Sequence, residues 1–121
     1  MRDHTKLRAF DLADELAVLV YKVTSRFPKS EMYGLTSQMR RAAVSVPSNI
    51  VEGCARESHI EYLRFLEIAF GSLRELDYQF SLAKRLGYMK NMATAHFESK
   101  MEEAQKVLGA LIRSLRQPKS P

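Results

Sequence analysis

Apolar residues recur at spacings of three and four along most of the chain, the period of α-helices that each bury one face. From about Leu7 to Arg26 they form two adjoining stripes, Leu12, Leu16, Leu19, Val23 and Ala13, Ala17, Val20, Thr24. Phe27-Pro28 ends this first helix, because proline disfavours helical geometry in the residue before it. A loop follows over Lys29 to Gly34, and a second helix starts near Leu35 or Thr36 with Leu35, Met39, Ala42, Val46 and Ile50 on one face. Pro47 interrupts that helix. A proline there removes a backbone donor and crowds the preceding turn, so the pattern predicts a kink or a break, with Ser45 and Ser48 able to satisfy freed backbone groups and Gly53 as a C-terminal cap.

The third helix reads from Ser58 to Leu86. Ser58 stands at the N-cap with Glu61 three places on, and Gly87 stops the helix. At 1.5 Å per residue it spans roughly 40 Å. Its stripes Leu63, Leu66, Phe70, Leu73, Phe80 and Tyr62, Phe65, Ala69, Leu76, Ala83, Leu86 cover about half its circumference. Asn91 is the expected cap of a fourth helix, whose seam Phe97, Met101, Ala104, Leu108, Leu111, Leu115 alternates spacings of four and three. Gly71 and Gly109 each cost about 1 kcal/mol of helix propensity, and close helix contact is the expected compensation. Residues 118–121 read as a disordered tail.

Nothing reads as a strand, and short connections force antiparallel neighbours. The pattern therefore predicts an all-α protein, an up-and-down antiparallel four-helix bundle over residues 1–121 with helix two kinked near Pro47. Helices one and three are wider in apolar surface than a lone bundle needs. That surplus either meets two neighbours inside the bundle or meets another subunit.

Composition narrows the chemistry. One domain of 121 residues is large enough for a core without staples, and 45% hydrophobic with 27% charged residues is ordinary for a globular chain. Cys54 is the single cysteine. No disulfide framework or thiolate cluster is available, which fits a reducing, cytoplasmic setting. The charged N-terminus is unlike a signal peptide, and the longest apolar runs fall far short of the roughly 20 residues that span a bilayer. No membrane partner is expected.

Catalytic and metal constellations do not emerge. Di-iron bundles need Glu-x-x-His and zinc proteases need His-Glu-x-x-His, whereas Arg56 and Ala93 occupy the positions three before His59 and His96. The histidines read as isolated surface residues, Cys54 as a structural thiol, and no glycine-rich phosphate loop occurs. The expectation is no enzyme, no metal and no cofactor.

Two polar groupings remain. Gln38, Arg41, Ser45, Ser48 and Glu52 recur at three and four along helix two, with Asn49 beside them. This face is either a ligand-facing or inter-subunit network, or the solvated side of an amphipathic helix. Lys22, Arg26 and Lys29 gather near the end of helix one, Lys84 and Arg85 close helix three, and Arg113, Arg116 and Lys119 close helix four. Cations are favoured at helix C-termini by the partial negative charge there. Helices one and three of an up-and-down bundle end on the same side, which would bring Lys22, Arg26, Lys29, Lys84 and Arg85 into one phosphate-binding patch. Nineteen Lys and Arg against fourteen Asp and Glu, a formal +5, favour an anionic partner. Few aromatics accompany the basic residues, which points to backbone contact in preference to base stacking.

The stretch Phe27-Pro28, Glu31-x-Tyr33-Gly34-Leu35, Gln38-Met39-Arg40-Arg41-Ala42-Ala43, Ser45-Val46-Pro47-Ser48-Asn49-Ile50-Val51-Glu52-Gly53 resembles the four-helix bundle proteins encoded in intervening sequences of bacterial 23S ribosomal RNA genes. Phe65-Leu66-x-Ile68-Ala69-x-Gly71-Ser72-Leu73-x-Glu75-Leu76 and Leu86-Gly87-Tyr88 continue the likeness. The resemblance implies a homopentameric, barrel-like assembly and no enzyme activity. It also implies similarity in fold to the accessory variability protein of diversity-generating retroelements, a basic pentamer associated with a reverse transcriptase and nucleic acid. Five copies at +5 each would carry a formal +25. The expected function is that of a non-enzymatic oligomer that binds RNA or DNA through phosphates. The alternative is a protein-interaction scaffold that binds a protein partner without touching nucleic acid.

Overall fold

The computed structural model describes residues 2–117, and the expected tail over 118–121, with Lys119, lies outside them. Four helices account for most of it: α1 (Arg8–Thr24), α2 (Leu35–Cys54), α3 (His59–Arg85) and α4 (Asn91–Arg116). Short 3-10 turns precede α1 (His4–Lys6) and α2 (Lys29–Glu31), and no strand occurs among the described residues. The all-α, four-helix reading holds.

Cross-helix pairs fix the arrangement. Thr24 meets Arg40 at one end of α1 and α2, while the Arg2 N–H donates to the Cys54 carbonyl at the other. Ser45 meets Ser72 and Gly53 meets Phe65 between α2 and α3. Lys84 pairs with Glu98 and Arg116 with Glu67 between α3 and α4, and Glu15 pairs with Lys100 and Arg8 with Glu103 between α1 and α4. In every pair the numbers rise on one helix as they fall on the other, so neighbours run antiparallel and α4 closes back onto α1.

The apolar stripes meet in the middle. Leu12, Leu16 and Val20 of α1, Met39, Val46 and Ile50 of α2, Leu66, Leu73 and Leu76 of α3, and Phe97, Met101 and Leu108 of α4 are all buried. Phe80 and Phe97 stack with ring centres 4.3 Å apart across the α3–α4 contact. Thr24 enters the core with its hydroxyl satisfied, donating to the Val20 carbonyl at 2.7 Å and accepting from Arg40 Nε at 2.9 Å. Gln79 is also buried, at 4% exposure, in the line expected to be apolar.

Helix ends follow side-chain chemistry, with some departures from expectation. Ser58 caps α3 by accepting from the Glu61 N–H at 3.3 Å, as expected. Gly87, at φ +78°, ends it; the Tyr88 N–H reaches the Ala83 carbonyl and the Gly87 N–H reaches that of Lys84, the paired bonds of a Schellman terminus. Leu86, however, is exposed rather than in the core. Asn91 is not the cap of α4: it is the first helical residue, and Lys90 stands at the cap with no side-chain bond. Gly53 is not a cap either. Helix α2 runs unbroken through Pro47 and past Gly53, where a Cβ would lie 2.9 Å from the Phe65 Cβ. Gly109 likewise packs on the Phe70 ring, but Gly71 has no atom within 4 Å of where its Cβ would be, so close contact does not explain it.

Candidate functional site

The ends of α1 and α3 lie together, because the Phe27 ring packs 5.3 Å from that of Tyr88. Tyr88 Oη donates to one Glu31 carboxylate oxygen at 2.8 Å, and the other accepts from the Leu35 N–H at 3.1 Å. The backbone bond first and the phenol second hold the Glu31 carboxyl below its ordinary range, and the bond to Glu31 raises the Tyr88 phenol in turn. The α1–α2 and α3–α4 connections are thereby tied into one surface.

A cleft of about 330 Å³ opens between the last turn of α1 and the start of α4. Val23, Tyr88, Met89 and Ala93 give it an apolar lining, while Lys22, Arg26 and Lys90 ring it with positive charge. Among the described residues no carboxylate lines it. Such a recess suits an anion, since three cations meet without an internal counter-charge.

The five basic residues singled out from sequence fare differently. Lys22 and Arg26 line the cleft, and Lys29 is exposed at the start of the 3-10 turn that follows α1. Lys84 is drawn aside: its ammonium pairs with Glu98 at 2.7 Å and lies 5.6 Å from the Phe80 ring centre. Arg85 is exposed and donates back to the Ser81 carbonyl at 3.3 Å. Lys90 escaped the sequence reading because it sits in a connection and belongs to no helix-end cluster. The signal that could have found it is topological, for the α3–α4 connection must cross the same end of the bundle.

The helix-two polar line divides. Ser45 Oγ lies 2.8 Å from Ser72 Oγ of α3, and the Asn49 amide donates to the Ser45 hydroxyl at 3.0 Å and to its carbonyl at 2.8 Å. This middle section is half-buried and bonds α2 to α3. Gln38, Arg41, Ser48 and Glu52 are exposed, and Arg41 lines a separate groove between α1 and α2.

Cys54 is buried, and burial pushes its thiol up from the ordinary value, opposed by Arg2 and a hydrogen bond with Tyr62. A raised thiol is poorly nucleophilic. His59 Nε2 lies 2.9 Å from the Leu115 carbonyl at the end of α4, and His4 packs edge-on against Phe10. Among the described residues no group of three or more His, Cys, Asp or Glu is placed to hold a metal ion, and no helix is long and apolar enough to cross a membrane.

Residues 5–110 match the sequence model of the 23S rRNA-intervening sequence protein family. The chain is also similar to the crystal structure of a protein of unknown function from the S23 ribosomal protein family of Bacteroides thetaiotaomicron. The two share 23% identity and a TM-score of 0.77, over 87% of this chain and 98% of the other. No curated protein matches the sequence.

Proposed function

The chain belongs to the 23S rRNA-intervening sequence protein family, and on that premise we propose that it is a non-enzymatic cytoplasmic protein that binds RNA or DNA through phosphates. The observation that carries this reading is the cleft at the α1–α4 end, lined by Lys22, Arg26 and Lys90 and, among the described residues, by no carboxylate. Lys29 and Arg85 are exposed on the neighbouring segments, just after α1 and at the end of α3. A phosphate backbone answers that arrangement with regularly spaced anions, and the counterions it releases supply the affinity. The formal +5 of the chain acts in the same direction.

The protein works, on this reading, as one protomer of a ring of five. Support for self-association comes from the exposed Ile60, Ile68 and Tyr78, which helical spacing puts on one outer face of α3. Arg64, Glu67 and Glu75 share that face, so it offers separate apolar contacts among charges, which a second copy would cover. The same face also favours the scaffold reading, in which a different protein covers it and the charge serves solubility alone.

Reversing Lys22, Arg26 and Lys90 together to Glu separates the two. Nucleic-acid binding through the cleft predicts loss of most affinity for a labelled RNA or DNA strand at low salt, with the helical content unchanged by circular dichroism. A wild-type protein that binds no strand at low salt, or a variant that binds as well as wild type, contradicts the proposal.

A further inference from the structure

On the other flank of α1 from the basic cleft, an open groove of about 690 Å³ runs between α1 and α2. Each wall presents a tyrosine. Tyr21 of α1 is 47% exposed, and Tyr33, in the turn before α2, is 97% exposed. The Arg40 guanidinium lies 4.6 Å from the Tyr21 ring centre while its Nε donates to Thr24. Ring and cation are thus held together before any ligand arrives. Arg41 stands exposed beside them, and Met32 and Val44 add apolar surface. Among the described residues no carboxylate lines the groove.

This combination selects its occupant by charge and shape. Aromatic rings flanked by guanidiniums, without a counter-charge, match a ligand that alternates flat apolar faces with anions. An unpaired nucleic-acid strand does so at every nucleotide. A duplex does not, because its bases stack on each other, and a protein partner would have to bring its own carboxylates to cover Arg40 and Arg41.

We infer that the α1–α2 groove binds the bases of an unpaired RNA or DNA strand, stacking them on Tyr33 and Tyr21 while Arg40 and Arg41 hold the flanking phosphates. The inference rests on the nucleic-acid reading above and deepens it. Phosphate contact at the cleft is indifferent to base pairing, whereas the groove makes the protein prefer single strands.

The test compares strands of about 12 nucleotides, inside the roughly 4–16 that single-strand grooves cover. Oligouridine, oligothymidine and an abasic strand of the same length are titrated into the full chain by fluorescence anisotropy. The base-bearing strands bind about ten-fold tighter than the abasic one. Tyr33→Ala removes that preference, Tyr33→Phe keeps it, and the cleft triple reversal weakens every strand alike. Equal binding of base-bearing and abasic strands overturns the inference and leaves the cleft reading standing; no binding of any strand overturns both. A Tyr33→Ala protein that keeps the preference for base-bearing strands also overturns the inference, and a changed assembly mass then shows that this groove seats another copy.

Discussion

Gly71 sits in the middle of α3 with open space where a side chain would be, while Gly53 sits in α2 with Phe65 against it. The same residue type thus has opposite consequences. A glycine in a helix costs about 0.5–1 kcal/mol relative to alanine, and at Gly71 no contact within the protomer compensates. Gly71→Ala is expected to stabilise the protein by that amount, read as a raised urea midpoint with an unchanged slope. Glu31 makes a second residue-scale prediction. Its carboxylate accepts bonds from Leu35 and Tyr88, so its folded pKa lies below the ordinary 4.5. A depressed carboxyl contributes stability above its unfolded value, and that contribution is lost as pH falls through the folded value. Glu31→Gln is therefore expected to lower stability at neutral pH and to flatten its fall below about pH 4.5, measured by thermal melts across pH. A variant that keeps the wild-type acid limb contradicts the assignment.

Between helices, magnitude separates centre from rim. Arg116–Glu67 and Lys84–Glu98 join α3 to α4 at exposed positions, where such pairs contribute about 0–1 kcal/mol. The Phe80–Phe97 stack joins them in the core, where truncating a phenylalanine to alanine costs about 3–5 kcal/mol. Phe97→Ala is expected to destabilise the protein by that larger amount and Lys84→Ala by less than about 1 kcal/mol; comparable losses in denaturant titrations would contradict the account. The helices themselves were legible because a period of 3.6 repeats over many turns, so Leu16, Leu66 and Leu108 declare their burial without any structure. Their ends were less so. Leu86 follows the apolar stripe but falls at the C-cap of α3, beyond the last turn that packs, and Lys90 took the cap expected of Asn91. The burial of Gln79 was hidden because its side chain is polar, and its position on the α3 stripe was the only signal.

For the molecule as a whole, charge at one end is set by connections as much as by helices. Sequence clustering found Lys22 and Arg26, which share the cleft, but could not see that Glu98 engages Lys84 or that Lys90 completes the ring. Both facts depend on which residues α4 brings alongside α1 and α3. The expected scarcity of aromatics around the basic residues does not hold: Tyr88 lines the cleft, and the turn before α2 carries Tyr33 to the side where Arg40 and Tyr21 meet. The central claim, binding through phosphates at the cleft, is tested most directly by the salt dependence of affinity for an abasic strand, which has phosphates and no bases. The account predicts that log K falls linearly with log salt, by about 0.7 per phosphate contacted, with a slope that becomes shallower when Lys22, Arg26 and Lys90 are reversed. No binding at low salt, or a slope that the three reversals leave unchanged, would contradict it.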